Sequence, residues 1–181
     1  MSHPSGPSSE QVILLAEDGT AIGTADKATV HGDDTPLHLA FSCHVFDARG
    51  RLLVTRRALG KSAFPGVWTN AFCGHPAPGE DLEDAVYRRG LRELALPIHD
   101  LEVVLPDFRY RAVDAAGVVE NEICPVYRSV ARDDPMPRPD EADDWAWVVP
   151  ADLKRAVTAT PFAFSPWLVL QLQQWDPKPA G

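Results

Sequence analysis

Residues 68–96, WTNAFCGHPAPGEDLEDAVYRRGLRELAL, leave the chain little freedom in how it folds. Cys73 and His75 lie two residues apart, so on extended backbone both side chains leave the same face. The PAPG sequence then turns the chain. Asp81 is placed to cap a helix over 81–94, along which Leu82, Ala85, Val86 and Leu94 fall on one stripe. A thiol beside an imidazole just ahead of a helix start suits a nucleophile pair, a metal site or a proton-transfer site. Taken singly, Cys73 reads as a small buried hydrophobe and His75 as a satisfied loop histidine.

The rest of the chain reads as β-hairpins around that helix. Val12–Leu15 and Ala21–Lys27 flank the turn Glu17-Asp18-Gly19, and a loop, ATVHGDDTPLHL, carries His31 and His38. Seven residues separate these histidines, too many for local geometry to place them on one face. Leu39–Asp47 and RLLVTRRAL form a hairpin through Ala48-Arg49-Gly50. Arg56 and Arg57 end its second strand on opposite faces, and one of them, with Lys61, is placed to meet a phosphorylated or carboxylated ligand; a solvated strand end is the other reading. Leu101–Ala112 and Val118–Val130 pair across DAAG. Glu120 and Glu122 share one face of the second of these strands. Two carboxylates side by side need a metal, an arginine or a shared proton, unless the strand is a solvated edge. Residues 133–144, with three prolines, are expected as a surface loop, Trp145–Val149 as a strand, and 150–159 and 166–175 as helices. Trp167 is a core residue or a pocket wall. These elements give an α/β (α+β) mixed sandwich.

At 181 residues the chain buries roughly 70% of its unfolded surface, as one domain over 10–175 between Ser/Pro/Gly-rich or Pro-rich tails at 1–9 and 176–181, both expected to be disordered. Seventeen Lys and Arg against 26 Asp and Glu give a net charge of −9, which opposes nonspecific nucleic-acid binding. There is no apolar run of membrane-spanning length, and the N-terminus lacks the pattern of a secretory signal. Three cysteines without framework spacing fit a reducing cytoplasm. His31, His38, His75, Glu120 and Glu122 sit on hairpins expected to fold around one sheet, and imidazole with carboxylate suits Zn, Mn or Fe.

The strings LHLAFS (37–42), LLVTRRALGK (52–61), PGVWTN (65–70), CGHP (73–76), PDFRYRA (106–112), ENE (120–122) and FAFSPW (162–167) together resemble the type I isopentenyl diphosphate isomerases, in matching order from Val12 to Trp175. The resemblance implies a Nudix-like α/β/α sandwich with a mixed sheet and a small prenyl diphosphate substrate; a cytoplasmic monomer with neither nucleic-acid nor membrane partner is expected. It also implies roles. His31, His38, His75, Glu120 and Glu122 would bind Mn²⁺, Zn²⁺ or Mg²⁺. Glu93 and the main-chain carbonyl of Cys73 would hold a Mg²⁺ against the diphosphate. Lys27, Arg57 and Lys61, with Arg89 as a further candidate, would take diphosphate oxygens. Cys73 and Glu122, with Tyr110 beside Glu122, would move the protons, and Trp167 would face the carbocation. Gly74, Glu80 and Arg88 fit the box of a Nudix pyrophosphohydrolase, the alternative enzyme, but Arg89 stands where its first catalytic glutamate belongs, and Ala95 replaces its glycine. A non-catalytic diphosphate- or metal-binding module is the third reading.

Overall fold

A computed structural model describes residues 10–178. The tail expected at 1–9 lies outside the described residues, as do 179–181. Asp176, in the expected C-terminal tail, accepts a 2.9 Å hydrogen bond from Lys154.

β1 (Gln11–Leu15) and β2 (Ala21–Asp26) form the first hairpin, whose turn places Gly19 at φ +85°, open to glycine at no steric cost. The return strand stops one residue before Lys27. Asp26 caps a single helical turn, α1 (Lys27–Val30), by accepting from the amide of Ala28, so the loop carrying His31 begins as helix. After it come β3 (His38–Leu39), β4 (Phe41–Phe46), β5 (Leu52–Arg57), β6 (Trp68–Thr69) and β7 (Phe72–Gly74). The chain continues through α2 (Leu82–Leu94), β8 (Ile98–Leu105), β9 (Arg109–Val113), β10 (Val119–Ile123), β11 (Val126–Ala131) and β12 (Ala142–Val148). It ends in α3 (Pro150–Ala159) and α4 (Pro166–Gln174). β12 starts three residues before Trp145 because Ala142 pairs with Arg57 of β5 across a bulge.

Two sheets form where one was expected. The five-stranded sheet runs β2-β1-β3-β10-β9 and the other runs β12-β5-β4-β11-β8, with β6 on β5 and β7 on β4. Each long strand read from the sequence is cut in two and shared between the sheets. The breaks fall at Ala40, at Pro106-Asp107 and at Cys124-Pro125. Proline cannot donate to a ladder, so Pro106 and Pro125 end pairing on adjacent strands at the same level. The backbone stays satisfied there: Ala40 N–H donates to Ile123 O, Cys124 N–H to Phe108 O and Ser42 N–H to Pro125 O, at 2.8–3.1 Å. The β4–β5 hairpin touches at one pair, Phe46 with Leu52, because β6 and β7 pair with its diverging strands.

The second sheet is mixed, β4 and β11 being parallel, and it is covered on both faces. Leu53 packs with Ala85, Val86 and Leu94 of α2, while Leu52 and Val54 pack with Leu153 and Val157 of α3 and Leu168 and Leu172 of α4. Alternation along β5 thus sends neighbours to opposite layers, the three-layer α/β/α arrangement. Each fully buried Val or Leu contributes about 1.5–3 kcal/mol. A third cluster, with Phe64, Phe108, Tyr110, Val126 and Trp167, fills the region where the sheets part.

Candidate active site

Strand register builds the site. In β10 Glu122 pairs with Tyr110 of β9 on one side and His38 of β3 on the other, so three functional side chains form one row across three strands. β10 is therefore an interior strand, and Glu120 and Glu122, 7% and 5% exposed, are not a solvated edge. Val119 N–H donates to Gly32 O at 2.7 Å and draws the loop of His31 against β10. In the other sheet β7 pairs Cys73 with Ser42, and Gly74 lets β7 approach α2: a Cβ there would lie 2.8 Å from Phe41 and 2.9 Å from Arg89. His75 follows. Arg88 grips Glu80 through two 2.6 Å bonds and donates to His75 O at 3.3 Å, which pins the loop between β7 and α2.

The three imidazoles meet, with ring centroids 5.1–5.9 Å apart. One ligand atom from each of His31, His38, His75 and Glu122 falls within 4.8 Å of the others. Glu120 stands outside that group but lies 3.2 Å from His31 Nε2. His38 Nδ1 bonds to Pro36 O at 2.9 Å, which leaves Nε2 facing Glu122 Oε1 at 3.4 Å. His31 Nε2, His38 Nε2 and Glu120 Oε2 are buried without a hydrogen-bond partner among the described residues. Converging lone pairs of this kind need a cation, and the donor set fits a divalent metal.

A cavity of about 160 Å³ opens beside this cluster, lined by Cys73, His75, Tyr110, Glu120, Glu122 and Trp167 and by the cations Lys27, Arg57, Lys61 and Arg89. The face question for Arg56 and Arg57 resolves in favour of Arg57, whose guanidinium is held by the carbonyls of Ala63 and Phe64 and lies 5.3 Å from the Trp167 ring centroid. Trp167 is both core and pocket wall: it is 2% exposed and lines the cavity. The other cations are paired, Lys27 with Glu10 at 2.9 Å, Lys61 with Glu141, and Arg89 with Glu93 one helical turn on. Burial, aided by Glu141, raises Glu93 even against Arg89. Glu10 and Glu141 escaped the sequence reading because nothing local marks them; they matter through the cations they meet.

Proton-bearing groups differ sharply. Burial pushes the Cys73 thiol up to about 12, against the hydrogen bonds of Ser42 and Asn70. Burial also pushes Glu122 up, but His38 and His75 together outweigh it and hold the carboxyl well below its usual range. Burial takes His75 down to about 4. Tyr110 O–H donates to Glu122 Oε2 at 2.9 Å, and burial next to that carboxylate keeps the phenol protonated. Asn70 is a further organiser. Its Nδ2 donates to Cys43 O and Phe72 O, so its Oδ1 is free to accept from Thr69, Trp167 and Cys73.

Residues 36–168 match the family model described as NUDIX domain. An isopentenyl-diphosphate Delta-isomerase of Clavibacter michiganensis subsp. michiganensis is 64% identical over 95% of this chain and 89% of its own length. Another, of Kocuria rhizophila, is 55% identical over 96% of both chains. The chain belongs to the isopentenyl-diphosphate Delta-isomerase family. Its fold is shared more widely. A Deinococcus radiodurans protein of known structure superposes with a TM-score of 0.71 at 18% identity, over 91% of this chain and 98% of its own. A MutT NUDIX hydrolase of Burkholderia pseudomallei gives 0.57 at 22% identity, over 76% and 97%. On α2 of this isomerase-family chain, Arg88 grips Glu80 and clamps the loop ahead of the helix, and Arg89 pairs with Glu93. No helix among the described residues is long and apolar enough to cross a membrane.

Proposed function

We propose that the protein interconverts isopentenyl and dimethylallyl diphosphate by protonating one carbon and deprotonating another through a tertiary carbocation. The observation that carries the reading is geometric: a thiol, Cys73, on a strand of one sheet and a carboxylate, Glu122, on a strand of the other line the same cavity, and burial favours the neutral form of the first while the imidazoles beside the second favour its ionised form. Moving a double bond needs one group with a proton to give and one able to take it. Cys73 and Glu122 act as that pair, and Tyr110, bonded to Glu122, passes or holds the proton at its Oε2. Lys27, Arg57 and Lys61 bind the diphosphate, exchanging carboxylate or carbonyl partners for phosphate oxygens. That binding fixes the reacting carbons. Trp167 shields the cation from water and offers its ring face.

His31, His38, His75, Glu120 and Glu122 would hold Mn²⁺ or Zn²⁺, and Glu93 with the main-chain carbonyl of Cys73 would hold Mg²⁺ at the diphosphate end. Such ions would supply positive charge that favours ionised Glu122 and offsets the negative charge of the diphosphate. A small prenyl diphosphate and three free thiols go with a monomer in the cytoplasm.

The test is Cys73→Ala beside Glu122→Gln. Cys73→Ala is expected to lower turnover by at least about 10²-fold, the scale of a lost acid or base, with metal content and diphosphate affinity near normal. Glu122→Gln is expected to lose turnover and metal together. Turnover within a few-fold of normal in Cys73→Ala would remove Cys73 from the chemistry.

A further inference from the structure

Behind Cys73 a line of polar side chains crosses the core. Ser42, His44 and Gln171 are all 0% exposed, next to Phe46, Leu168 and Leu172, where apolar residues would pack without a desolvation cost. His44 Nε2 lies 2.9 Å from Gln171 Oε1, Gln171 Nε2 lies 2.9 Å from Ser42 Oγ, and Ser42 Oγ lies 3.2 Å from Cys73 Sγ. Cys124 Sγ is 3.4 Å from the same hydroxyl.

The direction of this line follows from one unpaired atom. His44 Nδ1 is buried with no hydrogen-bond partner among the described residues. A buried N–H without an acceptor is rarer than a bare nitrogen, so Nδ1 is the bare one and the proton sits on Nε2. Burial takes His44 down to about 4, in keeping with a neutral ring. His44 therefore donates to Gln171 Oε1, which turns the Gln171 amide nitrogen toward Ser42. The hydroxyl then accepts from Gln171, which turns its own hydrogen toward the two sulfurs, of which Cys73 Sγ at 3.2 Å is nearer than Cys124 Sγ at 3.4 Å. On the other side of the sulfur, the thiol donates to Asn70 Oδ1 at 3.4 Å, and that oxygen also accepts from Thr69 at 2.9 Å and Trp167 at 3.0 Å. That oxygen is shared among three donors, so the thiol hydrogen can pass to the substrate while Ser42 keeps the sulfur in place.

We propose that Ser42, aimed by Gln171 and His44, is the positioning residue of Cys73: its hydroxyl anchors Sγ from behind while the thiol hydrogen stays available to the substrate. This rests on the reading of Cys73 as a proton-transfer group, and the experiment separates the two. In Ser42→Ala, kcat is expected to fall roughly tenfold, as for one lost hydrogen bond, with KM for isopentenyl diphosphate unchanged within about twofold. The Cys73 S–H stretching band, isolated in the infrared as the difference from Cys73→Ala, is expected to shift. Gln171→Met, which leaves the hydroxyl in place but unaimed, should move kcat and the band in the same direction by less. Normal kcat in both variants while Cys73→Ala is inactive would overturn the positioning role alone. Loss of kcat with an unmoved S–H band would also overturn it, as an effect of packing. An active Cys73→Ala, by contrast, would bring down the parent reading.

Discussion

Cys73 and Trp167 share one acceptor, Asn70 Oδ1, and through it the thiol and the ring that would face a carbocation are fixed relative to each other. The ring already has the Arg57 guanidinium 5.3 Å from its centroid. Replacing the ring should therefore cost a cationic ligand more than a neutral chain. In Trp167→Leu we expect a tertiary ammonium diphosphate to lose roughly 1–2 kcal/mol more affinity than isopentenyl diphosphate, measured by competition. Equal losses would mean that Trp167 only shapes the pocket. Residues of this kind were unequally legible. Cys73 and His75 announced themselves by their spacing, but the meeting of His31 with His38 depends on a loop drawn to β10 by a backbone bond, which no local pattern encodes. Their joint role was reached through resemblance. Ser42, Asn70 and Gln171 gave no signal, since a buried Ser, Asn or Gln is recognised by the partners that tertiary structure supplies.

β7, α2 and the hairpin of β1 and β2 are held together by close approach and by ion pairs. Gly74 sits where a Cβ would meet Phe41 at 2.8 Å and Arg89 at 2.9 Å. Gly74→Ala is expected to destabilise the protein by about 1–3 kcal/mol through overpacking, seen as a lower urea midpoint at unchanged slope. An unchanged midpoint would show that β7 and α2 can part at little cost. Glu10, just ahead of β1, ties Lys27 to Arg92 of α2. Burial pushes its carboxyl up, but Lys27, Arg89 and Arg92 outweigh this and bring it down to about 2 from 4.5. A carboxyl lowered on folding adds stability above its unfolded value and loses it as pH falls toward the folded one. Wild type should therefore exceed Glu10→Gln by a constant margin from pH 7 to about 4.5, narrowing as pH falls toward about 2. A margin equally wide at pH 2.5 would contradict the role. At this scale α2 was legible because Asp81, Ala85, Val86 and Leu94 combine a cap with a stripe. The breaks in three long strands were missed, although Pro106 and Pro125 mark two of them, because each flanking segment alternates well enough to read as one strand.

The whole molecule places two sheets so that they part around a cavity, with His38 and Glu122 on strands of one sheet and Cys73, followed by His75, on a strand of the other. Three chain segments, β3–β4, β8–β9 and β10–β11, run from one sheet into the other; Glu122 lies on one of them, and β7, which carries Cys73, pairs with another. The α/β class was legible from periodicity. The split into two sheets was not, because it depends on which strands pair. The fold is shared with a protein described as a MutT NUDIX hydrolase, and this chain carries an Arg89–Glu93 pair on α2 and a thiol and a carboxylate lining one cavity. The fate of the substrate separates isomerisation from hydrolysis. Metal-loaded protein and isopentenyl diphosphate are incubated in deuterated water and followed by proton, deuterium and phosphorus NMR. Dimethylallyl diphosphate with deuterium in its new methyl group and an intact diphosphate is the predicted result. Release of phosphate, or an alkene that neither moves nor takes up label, would contradict it.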